Sequence, residues 1–101
     1  MNRKQRRTEK KLGREATPGV QNTLAEALRH HEAGRLNEAE RLYRQILAVD
    51  PNHADSLHLL GMVAYQVGRH DLAVDLISRA IGGHANVALY HCNLGLALSA
   101  Q

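Results

Sequence analysis

The segment ADSLHLLGMVAYQVGRHDLAVDLISRAIGGHANV, residues 54–87, carries the strongest structural signal in the chain. Its first half places apolar and small residues three and four apart, which is the pattern of one buried helix face. These residues are Leu57, Leu60, Gly61 and Ala64. Gly68 ends this helix, and a second series with the same spacing follows Asp71. The second series consists of Ala73, Leu76, Ile77 and Ala80, so the segment predicts two helices joined by a tight turn.

The same unit recurs along the chain with a period of 34 residues, which indicates a repeat protein. Residues related by this shift are identical at turn and packing positions. The identical pairs are Gly34 and Gly68, Arg35 and Arg69, Ala39 and Ala73, Leu42 and Leu76, Ala54 and Ala88, Leu60 and Leu94, and Gly61 and Gly95. The predicted units span residues 20–53 and 54–87, followed by a half unit at 88–101. Asp50 is predicted to cap the first helix of the second unit, with Pro51 as its first helical residue.

These residues resemble the tetratricopeptide repeat, a helical pair of 34 residues. The matching positions are Leu57, Leu60, Gly61 and Ala64 in the first helix, Ala39-x3-Tyr43 and Ala73-x3-Ile77 in the second, and the closing Pro51. The resemblance covers residues 20–101 and looks like the N-terminal repeats of bacterial tetratricopeptide proteins. It implies an all-α fold in which antiparallel helix-turn-helix repeats form a short right-handed α-solenoid of about two and a half units.

The resemblance also implies a concave groove, lined by the first helix of each unit, that binds a peptide or a helix. The residues that it assigns to this peptide-binding groove are Leu24, Leu28, His31, His58, Met62, Tyr65, Cys92, Asn93, Leu96 and Ser99. This surface contains no Lys or Arg, which argues against a clamp for a C-terminal carboxylate. An asparagine ladder is also not supported, because Ala25 and Leu59 stand at the positions equivalent to Asn93.

The sequence offers no catalytic or metal-binding constellation. It has no Gly-rich phosphate loop and no nucleophile elbow. Cys92 follows His91, but consecutive side chains on a helix diverge and cannot form a nucleophile–base pair. His58 and Cys92 lie on neighbouring first helices, whose spacing of about 8–10 Å far exceeds a metal–ligand bond of about 2 Å. We therefore predict a non-catalytic protein without cofactor or metal.

Composition favours a helical protein of the cytoplasm. The 101 residues include no Trp or Phe and only three Tyr, which leaves little aromatic mass for a sheet. The single Cys92 excludes an internal disulfide and a cysteine-cluster zinc site. No apolar run approaches the roughly 18 residues of a membrane helix, and none follows the basic N-terminus as in a secretory signal.

The basic character belongs to the N-terminal segment. Residues 1–14 hold seven Lys and Arg against Glu9, a formal charge of +6, whereas residues 15–101 hold six Arg against nine Asp and Glu. Residues 1–19 are predicted to form a disordered basic arm, because they have too little apolar surface to fold. Such an arm attracts nucleic acid weakly and in a salt-dependent manner. It lacks aromatic residues for base stacking and an apolar face for membrane insertion.

The final half unit is predicted to leave Leu94 and Leu98 as an apolar strip, because repeat units bury their faces on their neighbours. A second copy would cover this strip in a homodimer, or the chain was cut from a longer array. The leading interpretation is a protein-interaction module that binds a protein or peptide. Two alternatives stay open: the N-terminal repeats of a bacterial O-GlcNAc-transferase-like glycosyltransferase, and an accessory protein that uses its arm on nucleic acid.

Overall fold

The computed structural model describes residues 16–84 and 86–101, with side chains from Gly19 onward. These residues form helices and no strand: α1 Ala16–Glu32, α2 Leu36–Val49, α3 Ala54–Gln66, α4 His70–Gly83 and α5 Ala88–Ala100. Helices adjacent in the chain pack against one another. The pairs α1–α2 and α3–α4 are thus helix-turn-helix units, and α5 begins a third. The predicted all-α repeat solenoid is confirmed.

Helix α1 begins at Ala16, inside the segment predicted as a disordered arm. Pro18 falls in the first turn, where its missing N–H removes no intrahelical hydrogen bond. The hydroxyl of Thr23 donates to the Gly19 carbonyl over 2.9 Å. Helix α1 thus includes the last four residues of the segment predicted as the arm, residues 16–19. Residues 1–15, with most of the predicted arm, lie outside the described residues.

The turns inside the two units are built alike. Gly34 and Gly68 have φ angles of 83° and 88°, in the left-handed region that glycine enters without steric cost. In each turn the glycine N–H donates to the carbonyl three residues back, and the next N–H, that of Arg35 or Arg69, donates to the carbonyl five residues back. This Schellman arrangement satisfies the last carbonyls of α1 and α3. It explains why the glycine recurs with the repeat, whereas the following Arg contributes only its backbone N–H to this arrangement.

Helix α3 starts later in the chain than was predicted from the Asp50-Pro51 pair. Asp50 is the C-cap of α2, and its carboxylate accepts the N–H of Asn52 over 3.3 Å. Helix α3 begins at Ala54, and its N-cap is His53, whose Nδ1 accepts the Ser56 N–H over 3.2 Å. The prediction was wrong because a histidine ring nitrogen takes the role usually filled by Asp, Asn, Ser or Thr.

The core lies between the paired helices. Buried apolar side chains from all five helices form two clusters. Tyr43 of α2 and Ile77 of α4 are fully buried. Gly61 allows α3 and α4 to approach closely, because a Cβ there would lie 2.7 Å from Ile77 Cγ1 and 3.3 Å from the Ala73 carbonyl oxygen. The small residues of the repeat pattern therefore mark points of close helix contact.

Candidate peptide-binding groove

Helices α1, α3 and α5, the first helices of successive units, are joined by side-chain hydrogen bonds. Each bond links residues 35 apart: His31 with Gln66, Asp55 with Tyr90, and His58 with Asn93. Each bond therefore joins a residue to the one that follows its equivalent position in the next unit. We define the groove face by three series of residues with the 34-residue spacing. The series are Leu24, His58 and Cys92; Leu28, Met62 and Leu96; and His31, Tyr65 and Ser99.

His31 connects three helices at one end of the groove face. Its Nδ1 lies 2.9 Å from the Tyr43 hydroxyl, and its Nε2 lies 2.6 Å from Oε1 of Gln66. The neutral tautomer that satisfies both contacts carries its proton on Nε2 and accepts from Tyr43. Burial, and secondarily the charge of Glu32, raises the pKa of Tyr43 to about 12. Tyr43 therefore stays protonated and able to donate at neutral pH.

His58 is a buried packing residue, and its predicted place on an accessible groove surface is wrong. The residue is only 3% exposed, and its ring lies 4.7 Å from that of Tyr90. The side-chain amide of half-buried Asn93 lies 2.7 Å from His58 Nε2 and donates to it when the proton is on Nδ1. Burial lowers the pKa of His58, with partial opposition from Asp55, so the ring is neutral at pH 7. The pair joins α3 to α5.

The remaining predicted groove residues divide into packed and exposed groups. Leu24 packs against the larger core cluster, whereas Met62 and Tyr65 pack against the smaller one; all three are half-buried. Leu28 is also half-buried, while Cys92 and Leu96 are exposed, Leu96 by 47%. The series Leu28, Met62 and Leu96 thus supplies one apolar side chain from each first helix that is at least partly exposed, since Leu28 and Met62 are half-buried and Leu96 is exposed.

Sequence reasoning missed two residues of this region. Leu89 is 57% exposed and precedes Cys92 by one helical turn. Tyr90 is buried, and its hydroxyl donates to Asp55 over 2.5 Å. Burial first, then this bond, raises the pKa of Tyr90. The repeat could have identified Leu89, because it stands 34 residues after Asp55. Asp55 precedes His58, the first groove residue of α3, by about one helical turn.

The charges next to the groove face are of both signs. The three series contain no Lys or Arg, but in α1 exposed Arg29 follows Leu28 and exposed Glu32 follows His31. The ion pairs of the described residues lie within α2 and α4 and are Glu38–Arg41, Glu40–Arg44 and Asp75–Arg79. The groove face is therefore apolar, with a mixed-charge border on α1.

The last helix presents a second surface, which we call the α5 end face: His91, Leu94, Gly95 and Leu98. Leu98 is 51% exposed. Leu94, predicted to be part of an exposed strip, is half-buried and packs against the cluster that contains Ala64 and Ile77. Leu98 therefore supplies most of the apolar exposure of this face.

Within residues 16–84 and 86–101, no three His, Cys, Asp or Glu side chains converge in a way that could hold a metal ion. Over the same residues, no helix combines the length and hydropathy needed to cross a bilayer.

Paired helices stacked along one direction, with an accessible side-chain row on their first helices, define a helical-repeat protein that offers an extended surface. Residues 24–90 match the family model described as "Tetratricopeptide repeat". The chain belongs to the tetratricopeptide repeat family, whose repeats are generally non-catalytic modules for binding proteins or peptides.

The chain is 32% identical over 68 residues to human "Tetratricopeptide repeat protein 7B", a match that covers 67% of this chain and 8% of that protein. A mutant of the O-GlcNAc transferase of Thermobaculum terrenum superposes with a TM-score of 0.81 and 30% identity, over 82% of this chain and 16% of that one. A crystal structure of MamA superposes with a TM-score of 0.75 and 23% identity. The superposition covers 89% of this chain and 53% of MamA, and it shows the same fold. The chain therefore spans only part of the length of these proteins.

Proposed function

We propose that this chain is a non-catalytic interaction module that binds an apolar peptide or amphipathic helix along the groove face. The observation that carries the proposal is the series Leu28, Met62 and Leu96, one accessible apolar residue on each first helix. Burial of these side chains supplies affinity, and His31 and Tyr65 offer polar contacts beside them.

The spacing of the series suggests the pattern of the ligand. Packed helices lie about 8–10 Å apart. Three residues of an extended peptide span about 10 Å, and seven residues of an α-helix, nearly two turns, span about 10.5 Å. A matching ligand carries apolar residues at every third position if extended, or at every seventh if helical.

Selection from a random peptide library on the full chain tests this proposal. Enriched peptides should show the apolar spacing and should lose at least about tenfold in affinity for a Leu96→Asp variant, because an apolar contact is replaced by a charge. Leu98→Asp is the matched control, since Leu98 lies on the same helix with similar exposure but outside the groove face. Equal loss in both variants, or no enriched pattern, would contradict the proposal.

A second candidate is the repeat portion of a sugar transferase that holds the acceptor protein. The 30% identity to the Thermobaculum terrenum O-GlcNAc transferase favours it. The positions equivalent to Asn93 oppose it, because Ala25 and Leu59 stand there and only one asparagine of a ladder is present. Sequencing the gene beyond the codon for Gln101 decides between the candidates: an adjoining transferase domain supports the second, and a stop codon opposes it.

A cytoplasmic location belongs to the proposal, because the free and exposed Cys92 fits a reducing compartment. Two further contacts belong to the proposal. Residues 1–14 would attract nucleic acid weakly, and their deletion should abolish salt-dependent binding to an oligonucleotide. Self-association would use Leu98 with Leu94 beneath it, and light scattering over a concentration series should then detect a dimer that a Leu98→Asp variant does not form.

A further inference from the structure

Helix α5 packs mainly against α4 and meets α3 over a shorter stretch, which we call the α3–α5 junction. It consists of Asp55 and His58 from α3 and of Tyr90 and Asn93 from α5. Two hydrogen bonds cross it, one of 2.5 Å between Tyr90 and Asp55 and one of 2.7 Å between Asn93 and His58. On each helix the two residues are three apart and lie on the same face. The junction is therefore held by polar contacts as well as by apolar packing.

The ring of His58 is enclosed by residues of α5. His58 is 3% exposed, and its ring lies 4.7 Å from the ring of Tyr90, which is equally buried. Among the described residues, the amide of Asn93 is the hydrogen-bonding partner found for the His58 ring. Separation of α5 from α3 would remove both neighbours and admit water to the ring. Access of a proton to His58 is therefore coupled to the position of α5.

A proton on His58 would place a poorly paired charge inside the closed junction. An imidazolium has two N–H donors, but the junction offers the ring one polar partner, so a charged donor would remain unpaired. Asp55, on the same helix, is the one charged side chain in the described part of the chain that acts on the ring. Helices α1, α2 and α4 bring no charge to it, and α5 brings the neutral Tyr90 and Asn93. Burial therefore outweighs Asp55 and lowers the pKa of His58.

The contact between α1 and α3 also uses a histidine, but its geometry is different. His31 is half-buried, and each of its ring nitrogens has an oxygen within hydrogen-bonding distance. These are the hydroxyl oxygen of Tyr43 at 2.9 Å and Oε1 of Gln66 at 2.6 Å. His31 therefore supplies a matched control for a substitution at His58.

We propose that the α3–α5 junction is a proton-sensitive joint, in which uptake of a proton by His58 releases α5 from α3. The joint adjoins the groove face, because Met62 and Leu96 lie one helical turn beyond His58 and Asn93 on the same two helices. Acidification therefore separates two members of that apolar series. The proposal goes beyond the groove function and does not require the groove to bind a ligand.

Hydrogen exchange of backbone amides, followed by NMR on the full chain, measures the opening of α5. With α5 released, the hydrated ring has the ordinary histidine pKa of 6.5, so lowering the pH stabilises the open form more than the closed form. From pH 7.5 to 5.5, after correction for intrinsic exchange, the opening constants of α5 amides should rise by about three- to tenfold; tenfold is the limit for a closed ring that stays neutral. Amides of α5 should also be less protected than those of α2 at both pH values.

Three variants test the assignment to His58. His58→Gln keeps a side-chain amide but has no titrating ring, so the opening constants of α5 should change by less than about twofold over this pH range. His31→Gln should keep the response of α5, because it changes the contact between α1 and α3. Asn93→Asp should reverse the response, since a carboxylate beside the ring favours the protonated form in the closed junction. In this variant the opening constants should fall by at least about twofold as the pH drops.

Several results would overturn the proposal. A rise of less than about twofold in the wild type would mean that the ring does not control α5. An equal rise in His58→Gln, or a rise instead of a fall in Asn93→Asp, would assign the response to other groups. Equal protection of α5 and α2 would mean that α5 separates only when the whole array unfolds. The groove proposal is tested separately, by peptide selection at one pH.

Discussion

Replacing Gly61 by alanine should destabilise the array, although alanine is the stronger helix former. The gain in helix propensity is about 0.8–1 kcal/mol. Against it stands the new methyl group, 2.7 Å from Ile77 Cγ1 and 3.3 Å from the Ala73 carbonyl oxygen. Cγ1 is close to the backbone of α4 and the carbonyl is part of it, so α3 and α4 must separate. Overpacking of this kind costs about 1–3 kcal/mol.

The expected net loss is therefore about 1 kcal/mol, the middle of the difference between these two effects, measured as the free energy of unfolding in urea by circular dichroism. The thermal midpoint should fall by about 4–8 °C for a domain of this size. Gly95→Ala is the matched control and should be stabilised, because it adds the same group where nothing is in contact. In an Ile77→Ala background most of the clash disappears, so Gly61→Ala should become nearly neutral. A Gly61→Ala variant as stable as wild type would refute this reasoning.

Three other predictions concern the site and the turns. Burial lowers the pKa of His58 below its ordinary 6.5, so the unfolded chain takes up this proton first and stability should fall as the pH drops from 7.5 to 5.5; urea midpoints should fall less in His58→Gln, and equal slopes would contradict the assignment. Tyr90→Phe removes the hydrogen bond to Asp55 and should lower the free energy of unfolding, measured in urea, by about 1 kcal/mol. An unchanged free energy of unfolding would mean that this bond does not form in solution. Gly68→Ala forces a Cβ into the left-handed region and should cost about 1–2 kcal/mol, whereas Gly82→Ala, inside α4 with open space around it, should not destabilise; equal effects would argue against the turn geometry.

The sequence predicted the repeat because its signals are local. Gly34 and Gly68 end helices through their own backbone conformation, and Ala39 and Ala73 pack within one helical pair. These features depend only on spacing along a single unit. The all-α solenoid could therefore be derived from residues 34 apart, without knowledge of how the units stack.

The details of the groove could not be derived in the same way. The side-chain bonds between units join residues 35 apart, so each helix is offset by one residue from its neighbour. This offset brings Asn93 onto His58 and buries a ring that a 34-residue alignment leaves on the surface. Periodicity identifies the face of a helix, but the offset between units decides which residues of that face a ligand can reach.

The exposed apolar residues of α5 link ligand recognition to local folding. Helix α5 buries only Tyr90 and Ala97 completely, and segments with few buried apolar contacts open locally most easily. A ligand on Leu96 would meet the closed helix only for the fraction of time that α5 is formed, and its apparent affinity would be reduced by that fraction. Any change that keeps α5 formed, even on its opposite side, will tighten the groove without touching the ligand. The affinity for the proposed ligand would then in part measure how often α5 is in place.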